Sequence, residues 1–375
     1  MTERAPANDT PQVTAQPQVT APPMVVVIIG AGLIGASIGR ALTARAFTVH
    51  LDDQALSHIR VAATLGAGIV EAPEPGEVDL VVVAVPPRAL AGVIGQALRT
   101  YPVATVTDVG SVKAGILKAL WDTDAALDRY VGSHPMAGTQ HSGPVTARAD
   151  LFEDRTWVIT PHRRSSPESV ARVAVLIEAC GARQVIMDVD DHDAAVARVS
   201  HLPHLMAVLM AGHLTTVPER DLLLAGPGLR DVTRIAGSDP RLWEQIVGAN
   251  SAAVLAELHA VRQQLDLVIS AVESDQAGQQ LRPHLDRGVA GTRKIPGKHG
   301  AARVAYGQVV VEIPDTPGAL GRLFADVGEA GVNVEDIAIE HDQVRQVGYL
   351  ALSVAPHQVA SLEATMTGHG WDVQP

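Results

Sequence analysis

Residues 24–29 form an unbroken apolar run that opens directly onto Gly30-Ala-Gly32-Leu-Ile-Gly35, and a helical pattern starts at Leu33. A continuous apolar strand fits a sheet covered on both faces, which in practice means a parallel sheet flanked by helices. The glycine spacing then constrains the turn after that strand. Gly30 allows a tight turn, Gly32 lets backbone come close to a ligand, and Gly35 lets a helix pack against the sheet. Leu33 and Ile34 open the helix, whose N-terminus presents free N–H groups and a favourable dipole to phosphate. Strand, glycine loop and helix together are the context that a dinucleotide site requires.

Further apolar stretches at 48–51, 80–85 and 104–107 alternate with helix-like segments such as 33–45 and 90–99. Alternation of this kind predicts an α/β domain of Rossmann type over residues 24–188. The second strand ends at Leu51-Asp52-Asp53. An acid there accepts hydrogen bonds from a ribose diol and repels a 2′-phosphate, so the pattern favours NAD over NADP. Strand alternation puts Val49, Leu51 and Asp53 on one side, which selects Asp53 rather than Asp52. Pro86 and Pro87 close the strand at 80–85 and are expected to line the nicotinamide side.

Beyond residue 188 the strand patterns stop. Segments 190–214, 219–224, 229–236 and 241–272 read as helices, the last with Leu255, Leu258, Leu265 and Ile269 at helical spacing. Residues 189–275 are therefore expected to be an all-helical domain whose apolar faces need a second copy, hence a homodimer. Residues 276–305, rich in Gly, Pro, Gln and basic side chains, read as a linker. Residues 306–375 carry strand patterns at 308–313, 333–340, 348–354 and 371–373, with helices at 316–330 and 357–367. Pro317 suits the first helical turn and Gly331 the position just past the end. The order βαββαβ predicts a ferredoxin-like α+β domain. Residues 1–23, rich in Pro, Thr, Gln and Ala, read as a disordered tail.

The formal charge of −12 argues against a general nucleic-acid or membrane-surface role. Cys180, the sole cysteine, forms no internal disulfide, and no metal-site cysteine spacing occurs. No apolar run reads as a bilayer span, and the start lacks a signal pattern. A cytoplasmic protein with no membrane partner is the expectation.

Ser111 lies just beyond the strand at 104–107, where it can serve the site, cap a helix, or both. His134 sits among small, loop-forming residues in Gly132-Ser-His-Pro-Met-Ala-Gly-Thr139; a neutral imidazole there can accept a hydroxyl proton near neutral pH. His201 and His204 share a helix face, as do Arg230 and Arg234, with Asp231 between them. No further ligand at metal-site spacing joins the histidines, so no metal is expected. Arginines suited to bidentate carboxylate binding, oriented by Asp231, instead suggest a pocket for a small anion.

Taken in order, the glycine loop, Gly110-Ser-Val-Lys113, Ser133-His-Pro-Met-Ala-Gly-Thr139, Ser200-His-Leu-Pro-His204, Asp231-Val-Thr-Arg234 and Ser238-Asp-Pro-x-x-Trp243 resemble the prephenate/arogenate dehydrogenases of tyrosine biosynthesis over residues 24–275. The last unit, with Pro314-Asp-Thr-Pro-Gly-Ala-Leu320 and Glu329-Ala-Gly-Val-Asn333, resembles an ACT domain. The resemblance implies oxidation of prephenate at C4, with loss of the hydroxyl proton to His134, assisted by Ser111, and departure of the carboxylate as carbon dioxide. His204 and Arg234 would hold substrate carboxylate, Asp231 would fix the ionic network, and Thr139 and His201 would line the pocket. The ACT unit implies feedback by tyrosine, with Gly318, Ala319, Leu320 and Asn333 as ligand contacts.

Arogenate is the alternative substrate. A β-hydroxyacid dehydrogenase would share the architecture, but those enzymes use a catalytic lysine in the helical part, and residues 189–275 contain none. A non-catalytic amino-acid sensor would not need the glycines, Asp53 and His134 that are present.

Overall fold

A computed structural model describes residues 24–123, 125–138, 143–295, 306–342, 345 and 347–374. The tail at 1–23 and Thr139 lie outside the described residues. Two compact units divide between Glu273 and Ser274.

The first unit begins with β1 (Val25–Ile29), α1 (Leu33–Thr43), β2 (Thr48–Asp52), α2 (Leu56–Thr64), β3 (Leu80–Val83), α3 (Pro87–Thr100), β4 (Thr105–Asp108) and α4 (Ala114–Trp121). Next in the chain are β5 (Tyr130–Pro135), β6 (Thr156–Thr160), α5 (Pro167–Ala179) and β7 (Arg183–Ile186). The strands form a seven-stranded sheet of order β2-β1-β3-β4-β5-β6-β7. Neighbours are parallel except β5 and β6, which are antiparallel. Alternate side chains of β1 serve opposite layers. Val26 and Ile28 pack with Ile38, Leu42 and Leu176 on one side. Val27 packs with Val81, Val83, Leu90 and Ile94 on the other. Burial on both faces explains the unbroken apolar runs. Because the chain leaves β1 toward β2 and later returns on the other side with β3, a crevice opens at their carboxyl ends.

The helical part comprises α6 (Val189–Val196), α7 (Leu202–His213), α8 (Glu219–Leu222), α9 (Pro227–Thr233), α10 (Pro240–Ala249) and α11 (Ser251–Glu273). The helices depart from the expected pattern at two places that bear on the site. Residues 197–201 between α6 and α7 are a π-helical turn. Pro203, which has no N–H and crowds the carbonyl one turn back, comes immediately after and accounts for the wider turn. The single helix read over 241–272 is broken at Asn250, whose side chain turns inward to buried partners.

The continuous helix Val189–Thr216 is long and apolar enough, by length and composition, to cross a bilayer, contrary to the expectation of no such run. It carries His192, Asp193, His201 and His204, all buried, and Asp193 bonds to the start of α4. That accounts for the polar positions within an otherwise apolar helix.

In the second unit the segment read as a linker contains α12 (Ala277–Thr292), a helix with Pro283 inside it. Low apolar content hides it: none of its residues is buried. Then come β8 (Gly307–Pro314), α13 (Ala319–Glu329), β9 (Val334–Asp342), β10 (Val347–Val354), α14 (Val359–Gly368) and β11 (Asp372–Gln374). The four strands form an antiparallel sheet of order β11-β8-β10-β9. Val309, Val311, Leu350 and Leu352 pack there against Leu323, Val327, Leu362 and Met366. The helix α13 starts later than its sequence pattern suggests. Gly318 has φ +89° and caps it from the left-handed region, leaving Pro317 outside. Gly331, φ +64°, ends it as expected.

Candidate functional site

The carboxyl ends of β1, β3, β4 and β5 lie along one edge of the sheet and gather the glycine loop, Pro86, Ser111 and His134. Gly30 has φ +105°, and a Cβ on it would come 2.3 Å from the Ala84 carbonyl oxygen at the end of β3. A Cβ on Gly35 would meet the Gly30 carbonyl oxygen at 1.9 Å. Gly32, in contrast, faces open space, with nothing within 4 Å of where its Cβ would be. It is the N-cap of α1 and provides no side-chain cap to the first turn. Leu33 is buried and Ile34 partly so. Two glycines closed by protein and one open to space describe a cradle for a group that approaches the helix N-terminus.

Asp53 lies just past β2, and its carboxylate accepts the Ala31 N–H at 2.7 Å and the Ala55 N–H at 2.8 Å. It thus sits against the glycine loop with lone pairs to spare. Asp52 is exposed and serves the loop through its backbone, its carbonyl accepting the Gly30 N–H at 2.7 Å. These residues fit a dinucleotide: phosphate at Gly32 and the α1 terminus, ribose at Asp53. Pro86 caps α3 at the end of β3.

Residue His134 is not in a loop but in β5, paired with Val158 of β6, because the apolar neighbours Tyr130 and Val131 extend the strand through it. Its Nδ1 lies 3.0 Å from Nε2 of His192 in α6, and Nδ1 of His192 lies 2.8 Å from Oδ1 of Asp193. The Asp193 carboxylate also accepts the N–H groups of Lys113 at 2.9 Å and Ala114 at 2.8 Å. Asp193 therefore caps α4, and Ser111 is not its N-cap. Burial works to raise the Asp193 carboxyl, but the bonds from His192, Ala114 and Lys113 outweigh it and hold its pKa below the ordinary value. Burial, with the Lys113 ammonium next, pushes His134 well below 6.5, so its ring is neutral near neutral pH.

Asn250 donates from Nδ2 to the Asp193 carbonyl at 2.8 Å and to Nδ1 of His201 at 3.2 Å. A carbonyl only accepts, so the amide orientation is fixed, and His201 carries its proton on Nε2. Burial lowers His201 to about 4. His204 is stacked on the Trp243 indole, and His201 meets the same indole edge-on at 6.1 Å.

Beneath this cluster Lys113 and Asp108 form a fully buried ion pair. Asp108 also accepts the Tyr130 hydroxyl and the Gly110 N–H, both at 2.9 Å. Burial lowers Lys113, while Asp108 opposes that shift.

Not every expected residue joins the cluster. Arg230, Asp231 and Arg234 are exposed, and among the described residues no ion pair links Asp231 to either arginine. The expected Asp231-centred network is thus absent from the single chain, where the short α9 leaves these side chains in solvent. His192, Asp193, Asn250 and Trp243 have no role that sequence alone assigns. The adjacent His192-Asp193 pair at the start of an apolar helix is the signal that could have found two of them. A separate groove of about 410 Å³, lined by Trp121, His162, Arg163 and Asp188 among others, contains none of these residues.

In the second unit Gly318 and Ala319 form the β8–α13 junction, Leu320 is exposed, and Asn333 donates to Glu335 at 2.6 Å.

Two family models match the chain: the nucleotide-binding domain of prephenate dehydrogenase over residues 38–186 and its dimerization domain over residues 188–287. The "Probable prephenate dehydrogenase NovF" of Streptomyces niveus is 33% identical over 355 residues, covering 92% of this chain and 98% of the relative. Cyclohexadienyl dehydrogenase of Zymomonas mobilis is 33% identical over 272 residues, 69% of this chain and 92% of the relative. Among solved structures, Aquifex aeolicus prephenate dehydrogenase, in complex with hydroxyphenyl propionate and NAD+, is 27% identical with a TM-score of 0.63. It matches over 72% of this chain and 100% of its own length.

Proposed function

The chain belongs to the prephenate dehydrogenase family, and from that membership we propose how its own residues divide the work. It is an NAD-dependent oxidoreductase that converts prephenate to 4-hydroxyphenylpyruvate by oxidative decarboxylation. When bound, NAD supplies the two-electron oxidant. Gly30, Gly32, Leu33, Ile34 and Gly35 hold its pyrophosphate, Asp53 its adenosine ribose, and Pro86 flanks the nicotinamide. His134 accepts the C4 hydroxyl proton, and Ser111, on the same sheet edge, orients that hydroxyl. His201 and His204 line the substrate pocket with Thr139, and Arg234 supplies the carboxylate contact. Loss of carbon dioxide makes the ring aromatic, so the protein chiefly positions and deprotonates.

One observation carries this reading: a neutral, half-buried imidazole held through Nδ1 at the sheet edge that bears the glycine cradle. NADH formation with NAD and either prephenate or arogenate, measured side by side, tests it. Turnover of prephenate and a loss of about 10²–10⁴-fold in His134→Asn are expected. Turnover of neither compound by protein that binds NAD overturns it. Arogenate is the second reading, supported by the similarity to the Synechocystis arogenate dehydrogenase structure at 26% identity, TM-score 0.62.

We assign residues 24–188 to cofactor binding, 189–275 to substrate binding and dimerization, and 306–375 to a ferredoxin-like ACT domain, in a cytoplasmic homodimer. Exposed Leu209, Leu223, Leu224, Leu255 and Leu265 support the dimer. The βαββαβ order and the sheet order β11-β8-β10-β9 support the ACT reading. Its ligand is tyrosine, contacted by Gly318, Ala319, Leu320 and Asn333. Tyrosine inhibition that Leu320→Asp and Asn333→Ala leave unchanged would place inhibition at the active site instead.

A further inference from the structure

We propose that His192 and Asp193 act as positioning residues that fix the tautomer of His134, holding its proton on Nδ1 and leaving Nε2 as a bare lone pair for the substrate hydroxyl. This inference rests on the reading of His134 as the base.

Hydrogen-bond polarity along the chain of groups leads to it. An ionised carboxylate only accepts. The Asp193 carboxylate takes the N–H groups of Lys113 and Ala114, and the third group within reach is Nδ1 of His192 at 2.8 Å. That nitrogen must therefore carry hydrogen. His192 is fully buried, and a hydrogen on its Nε2 as well would leave the hydrogen of a neutral His134 on that ring's Nε2, with no lone pair there for a substrate proton. With His134 as the base, Nε2 of His192 is therefore bare. Only one hydrogen fits between His192 Nε2 and His134 Nδ1, which are 3.0 Å apart. It belongs to His134. With Nδ1 protonated and the ring neutral, Nε2 of His134 is the acceptor. When His134 gains the substrate proton, its positive charge is met by an acceptor nitrogen backed by a carboxylate.

Several elements pack titratable groups around His134: Lys113 before α4, His192 and Asp193 on α6, and His201 on the π-helical turn, with Asp108 of β4 balancing Lys113. The backbone clamp on Asp193 has a clear purpose in this arrangement. The start of α4 fixes the carboxylate, the carboxylate fixes the His192 ring, and that ring fixes the base. Neither residue touches substrate in this scheme.

The test is ¹⁵N NMR of histidine-labelled full-length protein, which distinguishes Nδ1–H from Nε2–H directly, with His134 assigned by loss of its signal in His134→Gln. Proton on Nδ1 at neutral pH is expected in the wild type, and a tautomer mixture in His192→Leu. Proton on Nε2 in the wild type overturns the proposal. Kinetics give a second readout. His192→Leu should lower kcat about 10–100-fold, the order found for groups that orient a metal-bound imidazole, with little change in KM. His192→Gln, whose side-chain carbonyl can still accept from His134, should recover part of that loss and its pH profile. Equal loss in both variants, with unchanged melting temperature, would also count against the role. If His134→Asn instead retains full turnover, the base assignment fails while the tautomer result still stands or falls on the NMR.

Discussion

The imidazole of His204 lies flat on the indole of Trp243, with ring centroids 3.5 Å apart and planes 4° from parallel. One ring comes from α7 and the other from α10, so the stack ties two separate helices. Stacked pairs of this kind are worth about 0.5–1.5 kcal/mol beyond their buried area. A double-mutant cycle of His204→Leu and Trp243→Leu, read by urea unfolding, should give a coupling of that size. Trp243→Leu alone should raise KM for substrate more than it lowers kcat, because it loosens a binding ring and leaves His134 in place.

Two glycines of the same loop should respond to alanine in opposite ways. Gly35→Ala would drive a Cβ to 1.9 Å from backbone, so folding itself should suffer, visible as lost thermal stability without any ligand. Gly32→Ala meets open space in the protein and should fold normally. Its methyl would occupy the phosphate approach and cost one or two charged hydrogen bonds, weakening NAD binding by about 10–100-fold. Titration of NAD against intrinsic fluorescence, alongside thermal melts, separates the two cases.

Stability should fall on mild acidification. Burial lowers His201 from 6.5 to about 4, so between those values the unfolded chain binds the extra proton. Its contribution is complete above the unfolded value and declines as pH drops toward the folded one. The size is roughly 2–3 kcal/mol. His134, lowered in the same direction, adds to the slope. Urea midpoints between pH values of about 7.5 and 4.5 should decrease steadily, and His201→Gln should flatten that dependence.

The Lys113–Asp108 pair is fully buried, and Asp108 also holds Tyr130 and Gly110. Removing one partner strands the other charge, at a cost of about 3–5 kcal/mol. Lys113→Met should be measurably less stable in urea than the double variant Lys113→Met/Asp108→Asn, in which no charge is left alone.

The cofactor side is legible in the sequence because its signals are local. The apolar run, the glycine spacing and Asp53 act within one strand–loop–helix unit, and strand alternation points to Asp53, whose carboxylate lies against the glycine loop. The histidine cluster is legible only in part. His134 stands out as a residue type in a motif, but its strand depends on pairing with β6, a partner distant in sequence. His192, Asp193 and Asn250 gain meaning only when α6, α4 and the α10–α11 break meet. No periodicity encodes that meeting. The helix α12 escapes a sequence reading because an element with no buried side chain leaves no hydrophobic period to detect.

The bond between His134 and His192 joins a strand of the sheet to a helix of the all-helical part, and the Asp193 carboxylate grips the start of α4 from the same helix. A hinge that swung these two parts open would break both connections and, on the proposed reading of His134, release the base from its partner. Opening for substrate entry and product exit must therefore be borne by motions that leave the α6 junction intact.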